Sequence, residues 1–194
     1  MIKIALKDGS QIEVKKGSSI LEVAKVISQG LARVATCGEI DGEIKDIRYE
    51  IENDCELVIH TFDSSVEGKK AYWHTSAHIM AQAVKRLFPN SKLAIGPAID
   101  EGFYYDFDVE KPFTEEDKIK IEEEMKKIIK EKIEIERFVL PKEEALELMK
   151  EEPYKIELIQ DLDKDEIISF YKQENLVDLC MRSTFRKYRE SKNN

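Results

Sequence analysis

Two histidines lie four residues apart in the segment YWHTSAHIMAQAVKRLF, which covers residues 72–88. If this segment is a helix, His74 and His78 present their imidazoles on one face, about 40° apart around the helix axis. Such a pair suits metal binding, or general-base and water-orienting work on an ester. Two histidines with structural hydrogen bonds at the rim of a core are the commoner reason for this spacing. The pair therefore marks a candidate site whose chemistry other residues must decide.

A carboxylate and a thiol lie close together in the apolar run LVDLC at 176–180. Because side chains alternate along a strand, Asp178 and Cys180 would share one face while Leu179 points into the core. The chain has three cysteines and no CxxC pair, so a disulfide framework is not expected. The other two cysteines are interpreted as small packed residues, which leaves Cys180 as the thiol of functional interest.

A helix must hold the two histidines, and the spacing of the apolar residues around them predicts one. The apolar stripe of this helix consists of Trp73, Ala77, Met80, Val84 and Leu87. Pro89 and Asn90 predict that the helix ends near Phe88. The histidine face lies beside the stripe, so we expect it at the rim of a pocket rather than in the core.

Residues 1–62 have the pattern of a small separate domain. Apolar and polar residues alternate before and after the Asp8-Gly9 turn, which indicates a hairpin. Ser19 followed by Glu22 predicts a capping box at the start of a helix with one apolar face. Further short strands follow this helix. The pattern predicts a β-grasp sheet folded over one helix.

The remainder of the chain predicts a second domain with mixed helices and strands. The polar, turn-rich segment DSSVEGKK at 63–70 is interpreted as a linker, and the α+β domain covers residues 71–194. Thr114, with Asp117 three residues later, predicts a capped helix that ends at about Lys132. The other predicted elements are short strands at 93–95 and 103–107, a strand near 134–140, a short helix near 142–150, and apolar runs at 154–159, 167–171 and 176–180.

Composition excludes several classes of function. The 194 residues, of which 42% are hydrophobic and 37% charged, fit one or two globular domains. No apolar stretch approaches the ~20 residues that span a bilayer, and the start lacks the plan of a signal peptide, so we expect a cytoplasmic protein. The net charge of −9 argues against broad binding to DNA. Lys69, Lys70, Lys85 and Arg86 could still form a local basic surface, although solvated side chains are the simpler interpretation.

Longer motifs decide between the interpretations of the histidine pair. The motifs are YWHTSAHIMAQAVKRLF at 72–88, AIGPAIDEGFYYDF at 94–107, PYKIELI at 153–159 and YKQENLVDLC at 171–180. Together they resemble the editing domain of threonyl-tRNA synthetases, and residues 1–62 resemble the TGS domain that precedes it in that family. The resemblance covers residues 1–180. It implies a ubiquitin-like TGS domain and an editing domain, without the aminoacylation core that uses ATP.

The resemblance implies hydrolysis of tRNA for threonine that has been mischarged with serine. Serine lacks one methyl group of threonine, and a synthetic pocket gains only ~1–3 kcal/mol of discrimination from such a difference. A second site that hydrolyses the serine ester supplies the missing selectivity, and it needs no cofactor. The resemblance assigns catalysis to His74 and Lys155, which would polarise or position the water and the ester. It assigns binding of the ribose, the substrate ammonium and the amino acid to His78, Tyr171, Asp178 and Cys180.

The sequence departs from the family after Cys180. The family continues there as Arg-Gly-Pro-His, whereas this chain has Thr184 at the position of that histidine. Threonine has no basic nitrogen, so we expect the hydrolysis to be impaired. His74, His78 and Cys180 remain as candidate metal ligands and could hold zinc, but the threonyl family implies no metal.

The last residues leave two interpretations open. The tail FRKYRESKNN does not resemble the family, so the editing domain is interpreted as incomplete at its C-terminal end, and an out-of-frame ending is one explanation. The alternative function is a non-catalytic RNA-binding or regulatory module built on the TGS domain. The missing motif histidine favours the module, whereas the retained site residues favour the hydrolase. In the hydrolase interpretation the partner is mischarged tRNA for threonine.

Overall fold

A computed structural model describes residues 1–96, 98–99 and 101–180 of the chain. The structure divides into two compact units. The first consists of residues 1–75 with 98–102, and the second consists of residues 76–97 with the chain from 103 onward. The predicted α+β class, with an N-terminal β-grasp fold, is confirmed.

The first unit is a five-stranded sheet covered by a helix. Its elements are β1 (Ile2–Leu6), β2 (Gln11–Val14), β3 (Ser18–Ser19), α1 (Ile20–Ile27), α2 (Gln29–Val34), β4 (Ala35–Ile40), β5 (Glu43–Asp46), β6 (Glu50–Ile51) and β7 (Cys55–Thr61). The strand order is β2-β1-β7-β4-β5, in which β1 and β7 are parallel and the other neighbours antiparallel. Ile20 and Val23 of α1 pack against Ile4 and Leu57 of the sheet.

Local sequence signals explain where these elements begin and turn. Ser19 and Glu22 form the predicted capping box, since each side chain bonds the backbone N–H of the other residue. Asp41 and Gly42 connect β4 and β5 with φ values of +49° and +86°. Positive φ at both central residues is the requirement of the tight hairpin turn that Asp-Gly sequences favour.

A long helix, α3 (Val66–Leu87), begins inside the segment 63–70 that the sequence indicates as a linker. The hydroxyl of Ser65 accepts a hydrogen bond from the backbone N–H of Gly68 at 2.9 Å, which caps the helix start. This cap lies upstream of the apolar stripe, so the helix begins well before the segment that hydrophobic periodicity indicates. The part of this segment from Val66 onward is therefore helical.

Gly68 lies where the first turn of α3 passes the end of β7. A Cβ atom at this position would lie 1.9 Å from the carbonyl oxygen of Thr61. We expect Gly68→Ala to lower the free energy of unfolding by about 1–3 kcal/mol, because the helix start must move away from the strand. Chemical denaturation followed by circular dichroism measures this change.

Gly30→Ala is the matched control, because Gly30 is also helical and its added Cβ would meet only the Ser28 hydroxyl at 3.8 Å. Alanine favours helix over glycine, so this variant should be as stable as the parent or more so. Equal loss of stability in the two variants would contradict the close approach at Gly68.

Beyond α3, the chain forms short strands, helices and a three-stranded sheet. The elements are β8 (Lys92–Leu93), β9 (Ala98–Ile99), β10 (Gly102–Phe103), β11 (Phe107–Asp108), α4 (Glu115–Glu131), β12 (Glu136–Leu140), α5 (Lys142–Leu148), α6 (Pro153–Gln160), β13 (Ile168–Gln173) and β14 (Leu176–Cys180). The antiparallel sheet has the order β12-β13-β14. Thr114 and Asp117 form the predicted capping box of α4.

Two apolar clusters join helices and strands of the second unit. One joins α5 and α6 to the sheet, with Ile159, Phe170 and Leu179 fully or almost fully buried. The other joins α3 to α4 through Val84 and Ile128. As a result, the C-terminal part of α3 is held against α4, and helix α6 is held against the sheet. No helix of the described residues is both long enough and apolar enough to cross a membrane.

Candidate active site

The β13–β14 hairpin presents a polar face and an apolar face. Tyr171 pairs with Asp178, and Phe170 pairs with Leu179 in the antiparallel register. Phe170 and Leu179 lie in the apolar cluster with α5 and α6. Strand alternation therefore turns Tyr171, Asp178 and Cys180 to the opposite face of the hairpin.

Asp178 is the centre of a buried polar cluster. Its Oδ2 atom lies 2.8 Å from Nδ1 of His78 on α3 and accepts a hydrogen bond of 2.8 Å from the hydroxyl of Tyr105. Its Oδ1 atom forms an ion pair of 2.8 Å with Nζ of Lys155 on α6. The exposed fractions are 2% for Asp178, 4% for Lys155 and 6% for His78. We call these four residues the Asp178 cluster.

The charges of the Asp178 cluster follow from its contacts. Burial by itself would lower the pKa of His78, but hydrogen bonds with the side chains of Asp178 and Cys180 outweigh burial and raise that pKa to about 9. Burial would raise the pKa of Asp178, but the Lys155 charge and the His78 hydrogen bond hold it well below its usual range. Burial and the nearby carboxylate raise the pKa of Tyr105 well above its usual value. At neutral pH the carboxylate is therefore ionised, the imidazole protonated and the phenol neutral.

The raised pKa of His78 makes stability depend on pH. The pKa is about 9 in the folded state and about 6.5 for an unperturbed histidine, so its contribution is complete below pH 6.5 and is lost as the pH rises through 9. We expect this loss to reach up to about 3 kcal/mol. Chemical denaturation of the chain and of His78→Gln across this pH range measures it.

His60→Gln is the control for this experiment. His60 is also buried and also contacts a carboxylate, with Nε2 at 3.1 Å from Glu39 Oε2. The His60 variant should retain the alkaline loss of stability, whereas the His78 variant should lack most of it. A steep alkaline loss that persists in His78→Gln would assign the effect to another group.

Two further side chains line the polar face beside His78. The ring of Tyr171 lies with its centroid 5.1 Å from the imidazole, at an interplanar angle of 72°. The side chain of Cys180 is hydrogen-bonded with His78, and its backbone carbonyl accepts a 2.9 Å hydrogen bond from Ser169. The structure thus brings His78, Lys155, Tyr171, Asp178 and Cys180 together, although up to 102 positions separate them in the chain.

Comparison with known proteins agrees with the motifs. Residues 2–61 match the TGS domain family, and these bounds coincide with the start of β1 and the end of β7. A threonine–tRNA ligase of Acetivibrio thermocellus is 64% identical over 182 residues, which is 93% of this chain and 28% of that relative. The enzymes of the same name from Clostridium perfringens and Caldanaerobacter subterraneus are 62% and 60% identical over 180 and 179 residues.

The chain matches the N-terminal region of threonyl-tRNA synthetases. The resemblance that the motifs indicate is therefore confirmed, and the β-grasp unit is a TGS domain. The chain spans 28% of the length of the threonyl-tRNA synthetases that it matches.

The synthetase resemblance also indicates His74 and the position of Thr184. His74 belongs to the first unit, where it is half-buried on α3. Thr184, at the position of the missing motif histidine, lies outside the described residues. His78 is buried, whereas the sequence predicts it at the rim of a pocket. Its Nδ1 atom is paired with Oδ2 of Asp178 at 2.8 Å.

Tyr105 is a residue of the Asp178 cluster that the sequence analysis did not identify. It lies in the motif GFYYDF, where Phe103, Tyr105 and Phe107 are more buried than the residues between them. An alternating aromatic face with one hydroxyl is the signal that could have identified it, since a buried hydroxyl needs a partner. That partner is Asp178, 73 positions away in the chain.

The described residues do not support a metal site at the candidate ligands His74, His78 and Cys180. Among residues 1–96, 98–99 and 101–180, no group of three or more His, Cys, Asp and Glu side chains is arranged to hold a metal ion. His78, one of the candidate ligands, is instead hydrogen-bonded with Asp178 and Cys180.

Part of the basic group indicated by the sequence is used for internal ion pairs. Lys85 Nζ lies 2.7 Å from Glu152 Oε1. Arg86 pairs with Glu124 at 3.0 Å, with Glu131 at 2.8 Å and with Glu174. These side chains join α3 to neighbouring elements of the second unit, so they are interpreted as structural rather than as an RNA surface.

Proposed function

We propose that the Asp178 cluster belongs to a site that hydrolyses the ester of threonine tRNA mischarged with serine. The observation that carries the proposal is that two buried nitrogen donors meet at one carboxylate in the cluster. Lys155 and the protonated His78 both contact the buried carboxylate of Asp178, and Tyr105 is neutral. Ester hydrolysis passes through an oxyanion, and fixed cationic donors in a buried site stabilise such a charge. The similarity to threonyl-tRNA synthetases over 93% of the chain supports this substrate class.

The charge states assign different roles to the candidate residues. The His78 imidazole is protonated at neutral pH and hydrogen-bonded with Asp178 and Cys180, so it holds these two side chains in place rather than acting as a base. Lys155 is held by the same carboxylate and acts as a donor to the ester or the water. The resemblance to the synthetases assigns to His74 the positioning or activation of the water. Tyr171 and Cys180 beside His78 line the space for the ribose and the amino acid.

The proposed chemistry needs water and no cofactor. ATP is used by the aminoacylation core of the family and has no role in hydrolysis of the ester. The partner is the acceptor end of tRNA for threonine. Because the chain carries a net charge of −9, recognition depends on shape and on specific contacts more than on bulk charge.

A deacylation assay with matched substrates tests the proposal. We expect the chain to release serine from threonine tRNA and to leave threonine on the same tRNA, without ATP and in the presence of a chelator. His74→Ala should abolish the release of serine. Hydrolysis of both esters at one rate, or of neither, would refute proofreading by this site.

The second candidate function is a non-catalytic RNA-binding module. Thr184 favours it, because the family has a histidine at that position and threonine cannot act as a base. This module would bind threonine tRNA without releasing serine. Measurement of tRNA binding beside deacylation separates the two functions.

A further inference from the structure

The ammonium of Lys155 lies between Asp178 and Tyr105. An ammonium carries three N–H donors. Lys155 Nζ lies 2.8 Å from Oδ1 of Asp178 and donates to the hydroxyl of Tyr105 at 3.1 Å. The hydrogen bond to Tyr105 and the ion pair with Asp178 together hold the ammonium in place.

We propose that Tyr105 is a positioning residue that holds the ammonium of Lys155 beside Asp178, and that Gly96 is the residue that admits the Tyr105 ring. The catalytic consequence of this inference rests on the proposed ester hydrolysis. The geometric part does not, because it concerns contacts within the second unit alone.

The hydroxyl of Tyr105 connects the two charged groups of the cluster. It donates to Oδ2 of Asp178 at 2.8 Å and accepts from Lys155 at 3.1 Å. A neutral phenol can do both at once, and the raised pKa of Tyr105 keeps it neutral. The ring is stacked on Phe107, with centroids 4.8 Å apart and planes 20° apart, so it has little freedom to rotate away.

Gly96 determines whether the ring can occupy this place. A Cβ atom at Gly96 would lie 2.1 Å from Cδ2 and 2.4 Å from Cε2 of Tyr105. The two chain segments cannot separate easily, since Asp106 N–H donates to Ile95 O at 2.8 Å and Ala94 N–H donates to Asp106 O at 3.0 Å. Any side chain at residue 96 must therefore displace the ring, and with it the hydroxyl that holds Lys155.

Nuclear magnetic resonance of the lysine ammonium groups tests the geometry directly. In the ¹⁵N-labelled chain, the Lys155 signal is assigned by its absence in Lys155→Met. We expect Tyr105→Phe to speed exchange of the Lys155 ammonium protons with water by about tenfold or more, since a hydrogen bond to a charged group is lost. Lys85, whose Nζ bonds Ser91 O at 2.8 Å and Glu152 at 2.7 Å, is an internal reference that should not change.

Deacylation kinetics test the consequence. Tyr105→Phe should lower kcat for the serine ester by about tenfold while KM changes little, because donor direction matters most in the transition state. Gly96→Ala should have the same effect although it retains the hydroxyl. The double variant should be no worse than either single variant, since both remove one interaction. Tyr104→Phe, at the exposed neighbouring ring, and Gly30→Ala are the matched controls.

The outcomes separate the inference from the proposed function. Faster exchange of Lys155 in both variants supports the positioning role even if the chain releases no serine, a result that would refute only the hydrolase. Unchanged Lys155 exchange in folded Tyr105→Phe would overturn the role of Tyr105. If Gly96→Ala alone leaves the exchange unchanged, the assignment of Gly96 is wrong. A thermal melt of each variant, with the Lys85 signal, reports whether it is folded.

Discussion

Asp178→Asn should lower the free energy of unfolding by about 3–5 kcal/mol, because removing one partner of a buried ion pair leaves charge without compensation. Asp178 is 2% exposed and is the counterion of both Lys155 and His78. An amide keeps the size of the side chain but supplies no charge. Urea denaturation near neutral pH measures the loss.

Asp108→Asn is the control for this substitution. Asp108 is exposed and accepts one hydrogen bond of 2.9 Å, from the hydroxyl of Tyr154. Exposed polar contacts contribute little, so this variant should unfold within about 0.5 kcal/mol of the parent. A similar small effect at Asp178 would show that Lys155 and His78 do not depend on its charge.

Lys155→Met should lower the rate of release of serine from threonine tRNA by about 10²–10³-fold, the effect expected when one donor to an oxyanion is removed. Methionine retains the length and apolar stem of lysine and loses only the ammonium. Asp178 keeps His78 and Tyr105 as partners in this variant, so the fold should survive. Single-turnover deacylation with saturating protein measures the rate of the chemical step.

Lys150→Met provides the comparison for a lysine outside the site. Lys150 is on the surface, where its side chain pairs with Glu147 at 2.7 Å. Its replacement should leave the rate unchanged. If Lys155→Met hydrolyses the serine ester as fast as Lys150→Met does, the ammonium has no part in the chemistry, and another donor must stabilise the oxyanion.

The TGS domain and the capped helices were predictable because their signals are local. Asp-Gly in a tight turn and Ser or Thr with an acidic residue three positions later act on backbone groups a few residues away. Ser19 with Glu22 and Thr114 with Asp117 form the expected capping boxes. The start of α3 was not predicted, because the cap at Ser65 extends the helix beyond the apolar stripe from which its start was inferred.

Strand alternation also predicted the two faces of the β13–β14 hairpin correctly. The spacing of side chains along a strand is fixed by backbone geometry, so Leu179 had to face away from Asp178 and Cys180. The motifs indicated that His78 and Lys155 belong with them. The sequence by itself thus determined the faces of this hairpin and the candidates His78, Lys155, Tyr171, Asp178 and Cys180, but not Tyr105.

Only the tertiary structure decided which atoms meet and what charges they carry. His78 and Asp178 are 100 residues apart, and no local pattern records that Nδ1 meets Oδ2. Packing of α3, α6 and the sheet brings two cations to one carboxylate in a buried place, where each protonation state depends on the others. The role of Tyr105 could not be predicted for the same reason. Its hydroxyl has a role only where Lys155 and Asp178 lie on either side of it.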